Sequence, residues 1–287
     1  MKVTGFTFVR NGVKYDYPFL ESIHSLLALC DEVVIAVGQS DDGTVECIKS
    51  LHSPKIKILE TVWDESIRKG GKILSQQTNL ALNEISGDWA IYLQADEVLH
   101  EQDYQNIKDA LMRYQDIREV EGFLFHYKHF YGSYDYVGNS RRWYRREIRI
   151  VRPNISVHSW GDAQGFRIHG HKLHVKLLDA AVYHYGWVKP PDIQQLKQIT
   201  FNKLWHSDEW VDQYVGTETR YNYKQGGKLE KYKGTHPAVM QERIRKQNWI
   251  FNYNPMKVKQ PLKEIILDAV ESRCGWRIGE YKNYIMI

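Results

Sequence analysis

Along the first hundred residues, short apolar runs alternate with segments whose apolar positions fall three and four apart. Residues 3–9, 32–37, 55–62 and 89–93 have the run length and apolar density of buried strands. Between them, Phe19, Ile23, Leu26, Leu27 and Cys30 share one helical face in 18–30. Residues 44–51 and 101–114 also read as helices, and so does the segment holding Ile73, Leu74, Leu80, Ala81 and Ile85. Such alternation predicts an α/β fold with a mostly parallel central sheet flanked by helices.

Two of these strands end on polar chemistry. Trp89-Ala90-Ile91-Tyr92-Leu93-Gln94-Ala95 stops on the acid pair Asp96–Glu97, and the strand at 32–37 runs into Gly38-Gln39-Ser40-Asp41-Asp42-Gly43-Thr44. Open parallel sheets bind ligands beyond the carboxyl ends of their strands. Adjacent carboxylates at that edge suit hard cations and the phosphates they carry. The pattern points to a sheet that handles nucleotides.

After Glu119 the texture changes. Residues 121–127 and 147–151 read as strands around an aromatic, glycine-containing stretch at 130–138, and further short strands lead to Val182-Tyr183-His184. From Pro190 the pattern is helical, and 237–251 and 261–274 each open with a proline that suits a first helical turn. Between them, 216–234 reads as an exposed loop; its glycines and Tyr221, Tyr223 and Tyr232 make it a lid candidate. The expected organisation is a nucleotide-sugar and acceptor domain over 1–188 and a mainly helical extension over 189–287.

Composition narrows the function classes. With 287 residues, 43% hydrophobic and 26% charged, the chain has the means to bury a globular core. No apolar run approaches the roughly 18 residues of a membrane span. Cys30, Cys47 and Cys274 are odd in number and far apart, which fits a reduced cytoplasmic protein. The net charge of +4 is mild, but Arg141, Arg142, Arg145, Arg146, Arg149 and Arg152 crowd one segment that also holds Trp143 and Tyr144. Basic residues among aromatics suit nucleic acid, or equally a phosphorylated or sugar acceptor, and the bland alternative is a solvated hairpin. The mild overall charge disfavours nucleic acid.

Taken in order, Asn11 after the first strand, Ser40-Asp41-Asp42-Gly43-Thr44 after the second, Asn79 before the acidic strand and Ala95-Asp96-Glu97 at its end resemble the family 2 glycosyltransferases. The likeness is greatest to small bacterial enzymes that build lipopolysaccharide core and other surface glycans. It runs over residues 3–99 and partially to 187. The resemblance implies a GT-A (Rossmann-like) fold, a nucleotide-sugar donor, and Mg²⁺ or Mn²⁺ at the acidic motif. It assigns the donor to Asn11, Ser40, Asp42, Asn79 and Gln94, and the metal to Asp96 and His184, with Glu97 behind them. The sequence departs from the family where an acid is replaced by Val37 or Gly38, where Gln94 replaces the first acid of Asp-x-Asp, and where Thr78 replaces an arginine.

Glycosyl transfer with inversion needs a carboxylate to take the acceptor proton. Asp162, flanked by glycine and Trp160, is the first candidate, and Asp135 is its rival. The acceptor class is a glycan, a lipid-linked sugar or a phosphorylated sugar. Peripheral contact with the inner face of the membrane goes with a lipid-linked one. Each motif also has a structural alternative. The turn at 40–44 caps a helix, Asp96 and Glu97 begin the helix at 101–114, and His184 is a core histidine. The remaining classes are a non-catalytic nucleotide- or glycan-binding protein on the same fold and a basic nucleic-acid binder. His158, His169 and His171 make a weak zinc pattern with no cysteine nearby. Gly70-Gly71-Lys72 lacks the spacing of a phosphate loop.

Overall fold

A computed structural model describes residues 1–254, 258 and 261–287. The chain opens with β1 (Val3–Val9), α1 (Phe19–Leu27), β2 (Glu32–Gly38), α2 (Thr44–Lys49), β3 (Ile56–Thr61), α3 (Lys72–Asn83) and β4 (Trp89–Tyr92). It continues through β5 (Glu97–Leu99), α4 (Tyr104–Arg113), β6 (Gly122–Tyr131), β7 (Tyr136–Gly138) and β8 (Arg146–Val151). A small sheet of β9 (Val157–Trp160), β10 (Gly165–Ile168) and β11 (His171–Lys172) precedes the long β12 (His174–Trp187). The remainder holds α5 (Pro191–Asn202), α6 (Asp208–Tyr214), β13 (Leu229–Lys231), α7 (Gln241–Arg245), α8 (Leu262–Cys274) and β14 (Ile285–Met286).

Strands β3, β2, β1 and β4 lie side by side in parallel, and β8 then joins β4 antiparallel. Burial on both faces explains why β2 and β4 are apolar almost throughout, whereas the edge strand β3 alternates Ile56 and Ile58 with exposed Lys57 and Glu60. Val33, Ile35 and Val37 face α1 and α4, while Val34 and Ala36 face α3. Phe19, Ile23 and Leu26 of α1 fill one layer with Trp89, Ile91 and Phe123, and Phe6, Tyr92, Leu124 and Phe166 fill the other. Every strand expected before residue 100 forms within two residues of its expected limits, as does the helix at 44–51; the helices expected at 18–30 and 101–114 have their limits within three.

Several expectations change. Glu97 does not start a helix: it opens β5, which pairs antiparallel with Val182, Tyr183 and His184 of β12. Residues 216–220 form an exposed turn as expected, but the stretch up to 234 is not free loop throughout. Leu229, Glu230 and Lys231 pair with β7, and Tyr221 and Tyr223 pack on Tyr131 and Trp187. The helix expected over 237–251 shrinks to a 3-10 turn and α7, because Trp249 leaves helical spacing to pack on Tyr134 and to donate its indole N–H to the Gly132 carbonyl at 2.7 Å. The extension is thus mixed, with β13 and β14 both entering the main sheet. His169 and Gly170, both at positive φ, form the turn between β10 and β11, so His169 and His171 do not share a strand face. Among the described residues, no helix is long and apolar enough to cross a membrane.

The arginine segment is neither a solvated hairpin nor a free basic surface. Arg141 pairs with Glu271, Arg145 with Glu271 and Glu280, and Arg149 with Glu97. Arg152 lies on the Trp89 ring with its guanidinium spent on main-chain carbonyls.

Candidate functional site

The carboxyl ends of β1, β2 and β4 open onto a cleft of about 1180 Å³. Asn11, Ser40, Gln94, Asp96, Asp162 and His184 all line it. The Ser40 hydroxyl donates to the Gly38 carbonyl and accepts from the Asn11 amide at 2.9 Å, which locks the two strand ends together. Asn11 adopts a positive φ, and its side-chain oxygen is buried without a protein partner. A buried acceptor beside a cleft is a place for a ligand donor.

Other expected residues serve the frame instead. Asp42 accepts from the Lys14 amide at 2.7 Å and from the Thr44 amide at 3.1 Å, and does not line the cleft; Asp41 does. Asn79 makes a two-point bond to Ser159, accepting from its amide at 2.7 Å and donating to its carbonyl at 3.3 Å. Asp135 sits away from the cleft, beside Ser133, with its carbonyl accepting from the Tyr232 amide. The position where the family's acid is missing is filled. A Cβ on Gly38 would meet the Trp63 indole nitrogen at 2.4 Å, so the glycine is what lets Trp63 lie over the end of β2.

Glu97 is an anchor. Its two oxygens take Arg149 Nε and Nη2 at 2.8 Å each, Tyr127 donates to one at 2.9 Å, and the Gln94 amide donates to the other at 3.0 Å. Both partners of this ion pair are fully buried, and every strong donor around them is used. The network fixes the 94–97 bend and therefore the direction of Asp96.

Asp96 is buried at the cleft wall. Lys197 Nζ donates to its Oδ2 at 3.3 Å, and His184 Nε2 lies 3.7 Å from the same oxygen. Burial pushes the Asp96 carboxyl up, but nearby positive charge, the Lys197 ammonium first, outweighs it and holds it at about 2. Gly186 is required here, because a Cβ would come within 2.4 Å of Asp96 Oδ2 and 2.7 Å of His184 Nε2. His129 and His184 are both held below the ordinary histidine value, mainly by burial. His129 donates from Nε2 to the Tyr144 carbonyl at 2.9 Å, so its Nδ1 accepts from His184 Nδ1 at 3.2 Å. That chain leaves the His184 Nε2 lone pair aimed at Asp96.

Two lone-pair atoms facing each other form the start of a cation site. A divalent ion is satisfied by one or two protein ligands when water and phosphate oxygens complete its shell. Asp96 and His184 therefore fit Mg²⁺ or Mn²⁺, provided that Lys197 yields the oxygen it holds. Among the described residues, no group of three or more His, Cys, Asp or Glu gathers anywhere. An ion held there would take its remaining ligands from elsewhere.

Asp162 sits in the turn between β9 and β10, framed by Gly161 and Ala163 at positive φ. Burial raises its carboxyl above the ordinary range, which strengthens it as a proton acceptor. The opposite wall comes from α5 and the turn after it, where Lys197, Phe201 and Trp205 face the cleft. Sequence reasoning missed these three. Their only trace is the four-residue spacing of Lys197, Phe201 and Trp205, which any helix face shares.

The model of the family described as glycosyl transferase family 2 matches residues 18–168. Among solved structures, TarS of S. aureus is 16% identical over 76% of this chain and 43% of its own, with a TM-score of 0.42. TarS 1–349 in complex with UDP-GlcNAc is 14% identical over 75% of this chain and 70% of its own, with a TM-score of 0.40. Mannosyl-3-phosphoglycerate synthase from Rubrobacter xylanophilus is 19% identical over 49% and 43%, with a TM-score of 0.31. At these values none of the three speaks to the donor or acceptor of this chain. The chain spans less than half the length of the TarS structure that it matches at 43%. Among curated proteins no match is found.

Proposed function

The chain belongs to glycosyl transferase family 2 and has its GT-A architecture, and on that premise we propose that it moves a sugar from a nucleotide-sugar donor to a hydroxyl of a glycan or glycolipid-type acceptor. The observation that carries the reading is the meeting of Asn11, Ser40, Asp96 and Asp162 around one cleft at the ends of parallel strands. Asn11 and Ser40 hold the nucleoside end of the donor, and Gln94 meets its ribose as a neutral amide. The diphosphate lies toward Asp96, His184 and Lys197.

Members of this family commonly use a divalent cation. Asp96 and His184 would hold Mg²⁺ or Mn²⁺, which when bound supplies positive charge to the departing diphosphate. Asp162 takes the proton from the acceptor hydroxyl as that oxygen attacks the anomeric carbon, and the anomeric centre inverts. Phe201 and Trp205 offer flat apolar faces to the acceptor sugar and keep water from the donor. Action on the cytoplasmic side, at the inner membrane face when the acceptor is lipid-linked, goes with this reading. Leu262, Ile266, Trp276 and Tyr281 near the C-terminus are exposed apolar side chains of the kind such a contact uses.

Release of nucleoside diphosphate from a panel of nucleotide sugars, measured beside the thermal shift each donor produces, tests the reading. Asp162→Asn should bind the donor as wild type does while transfer falls by ~10²–10⁴-fold. Full turnover in that variant would remove Asp162 as the base. Donor binding without any release would favour the non-catalytic binding protein, for which the uncharged Gln94 is the best support. A failure of every nucleotide sugar to bind would end the proposal.

A further inference from the structure

Lys197 stands where neither the family match nor the strand-end pattern reaches. It lies 101 residues from Asp96 in sequence, on α5, beyond residue 168. Its ammonium is buried, donates to the Gly186 carbonyl at 3.0 Å and to Asp96 Oδ2 at 3.3 Å, and lies over the Tyr17 ring at 4.8 Å. A buried carboxylate needs a partner, and this one has a partner already. The same oxygen faces His184 Nε2 across 3.7 Å, the gap that a cation would enter. An ammonium and a divalent cation on one carboxylate oxygen repel strongly at that range. Asp96 can serve either fully, and not both at once.

We propose that Lys197 is the resident counter-ion of Asp96: it holds the carboxylate in the free protein, excludes a divalent cation from it, and passes to the diphosphate when the donor arrives. This inference rests on the proposed transferase reading for its second half only. Its first half concerns the free protein. The gain to the molecule is that a buried acid is never left uncompensated, and that cation and nucleoside diphosphate bind as a linked pair. The ammonium is close to the cleft floor, so a short swing of its flexible stem brings it to a phosphate oxygen. Two positive groups then meet the charge that develops on the leaving group, and Asp96 and His184 remain for the cation.

The test is Mn²⁺ binding by calorimetry to the full chain without nucleotide, for wild type and Lys197→Met. Wild type should bind Mn²⁺ weakly, and K197M at least ~10-fold more tightly, because the competing ammonium is gone. In the second arm, UDP, GDP, CDP and ADP are titrated with Mn²⁺ present. The diphosphate that binds wild type best should bind K197M about 10-fold more weakly, and Lys197→Arg should restore most of that loss. The two arms move in opposite directions, which a merely structural lysine would not produce. Lys197→Gln, which keeps a donor for the Gly186 carbonyl, serves as the neutral variant if K197M does not fold.

Equal Mn²⁺ affinity in wild type and in the neutral variants would overturn the counter-ion role. Unchanged diphosphate affinity in K197M would overturn the hand-over. If no nucleoside diphosphate binds wild type, the transferase reading and the hand-over fall together, while the Mn²⁺ arm still decides what Lys197 does in the free protein.

Discussion

The strands that carry Asp96 and the helix that carries Lys197 meet at one cleft but are held there by different means. Asp96 is aimed by a fully buried ion pair, Glu97 with Arg149, inside a sheet whose strands are apolar on both faces. Lys197 is aimed by α5, whose inward residues Gln194, Gln195 and Lys197 are polar. The helix is tied to the rest through Lys189, whose ammonium donates to the Tyr15 and Asp16 carbonyls, and through the Tyr15 hydroxyl, which donates to Thr200. One wall is built inside the sheet, and the other on a helix held by polar bonds to the 15–16 loop, Gly186 and Val215, with Leu204 and Trp205 of the following turn packed on the core. The contrast teaches where this molecule can move: the acid wall is fixed when the sheet folds, while the lysine wall has room to adjust to a donor.

The largest effect should come from breaking the fixed wall. Arg149→Met leaves Glu97 charged and buried with only Tyr127 and an amide to meet it, a loss of ~3–5 kcal/mol. Urea unfolding followed by tryptophan fluorescence measures it. Glu97→Leu combined with Arg149→Met removes both charges and should recover much of that stability. A loss below ~1 kcal/mol in the single variant would mean that the acid wall is as loosely built as its opposite, and the contrast would fail.

This asymmetry also explains what was legible in the sequence. Strands β1, β2 and β4 could be read because a strand buried on both faces must be largely apolar, and the edge strand β3 because its apolar residues alternate with exposed ones; both signals are local. Asp162 was visible as an acid between a glycine and a small residue in a turn. Asp42 and Asn79 lie outside the cleft lining for a physical reason. Short polar side chains at strand ends and turns serve backbone amides as readily as ligands, and here they hold Thr44 and Ser159. Glu97 looked like a neighbour of the metal because its partner Arg149 lies 52 residues on, inside a segment that read as surface charge. Lys189 gave no signal, and Lys197 only a spacing that any helix face shares. Lys197 sits in a polar helix and reads as solvated, Lys189 in the bend before it does too, and only the return of α5 across the sheet edge buries them.

A middle-sized effect sharpens the contrast from the fixed side. Glu147, on β8, faces Arg149, Glu97 and Asp162, and one of its oxygens has no partner. Burial pushes its carboxyl from 4.5 to about 8. The folded protein therefore keeps a proton that the unfolded chain gives up, and stability falls as pH rises from about 5 to about 8, by at most ~3 kcal/mol. Glu147→Gln mimics the protonated acid and should flatten that slope, with its gain over wild type absent near pH 4.5 and largest near pH 8. Melting temperatures across that range would reveal it. A wild-type slope that survives in the variant would assign the titration to another group of the acid wall.

The smallest effect concerns the tie that holds the lysine wall, and here two terms oppose. Lys189→Met leaves the Tyr15 and Asp16 carbonyls without their ammonium, a cost of ~1–3 kcal/mol. The same change removes a buried positive charge, which burial and the neighbouring Lys197 hold well below its ordinary proton affinity, so part of the cost is returned. The methionine stem still lies on the Tyr17 ring that the ammonium now covers at 4.6 Å. We therefore expect a net loss of only ~1 kcal/mol in global stability. The local consequence should be larger than the global one. Hydrogen exchange should quicken across α5 and the turn that follows it, while β4 and β5 keep their wild-type protection. A fall in stability equal to that of Arg149→Met, with exchange quickened through the sheet as well, would show that α5 is part of the fixed frame and that both walls are built in the same way.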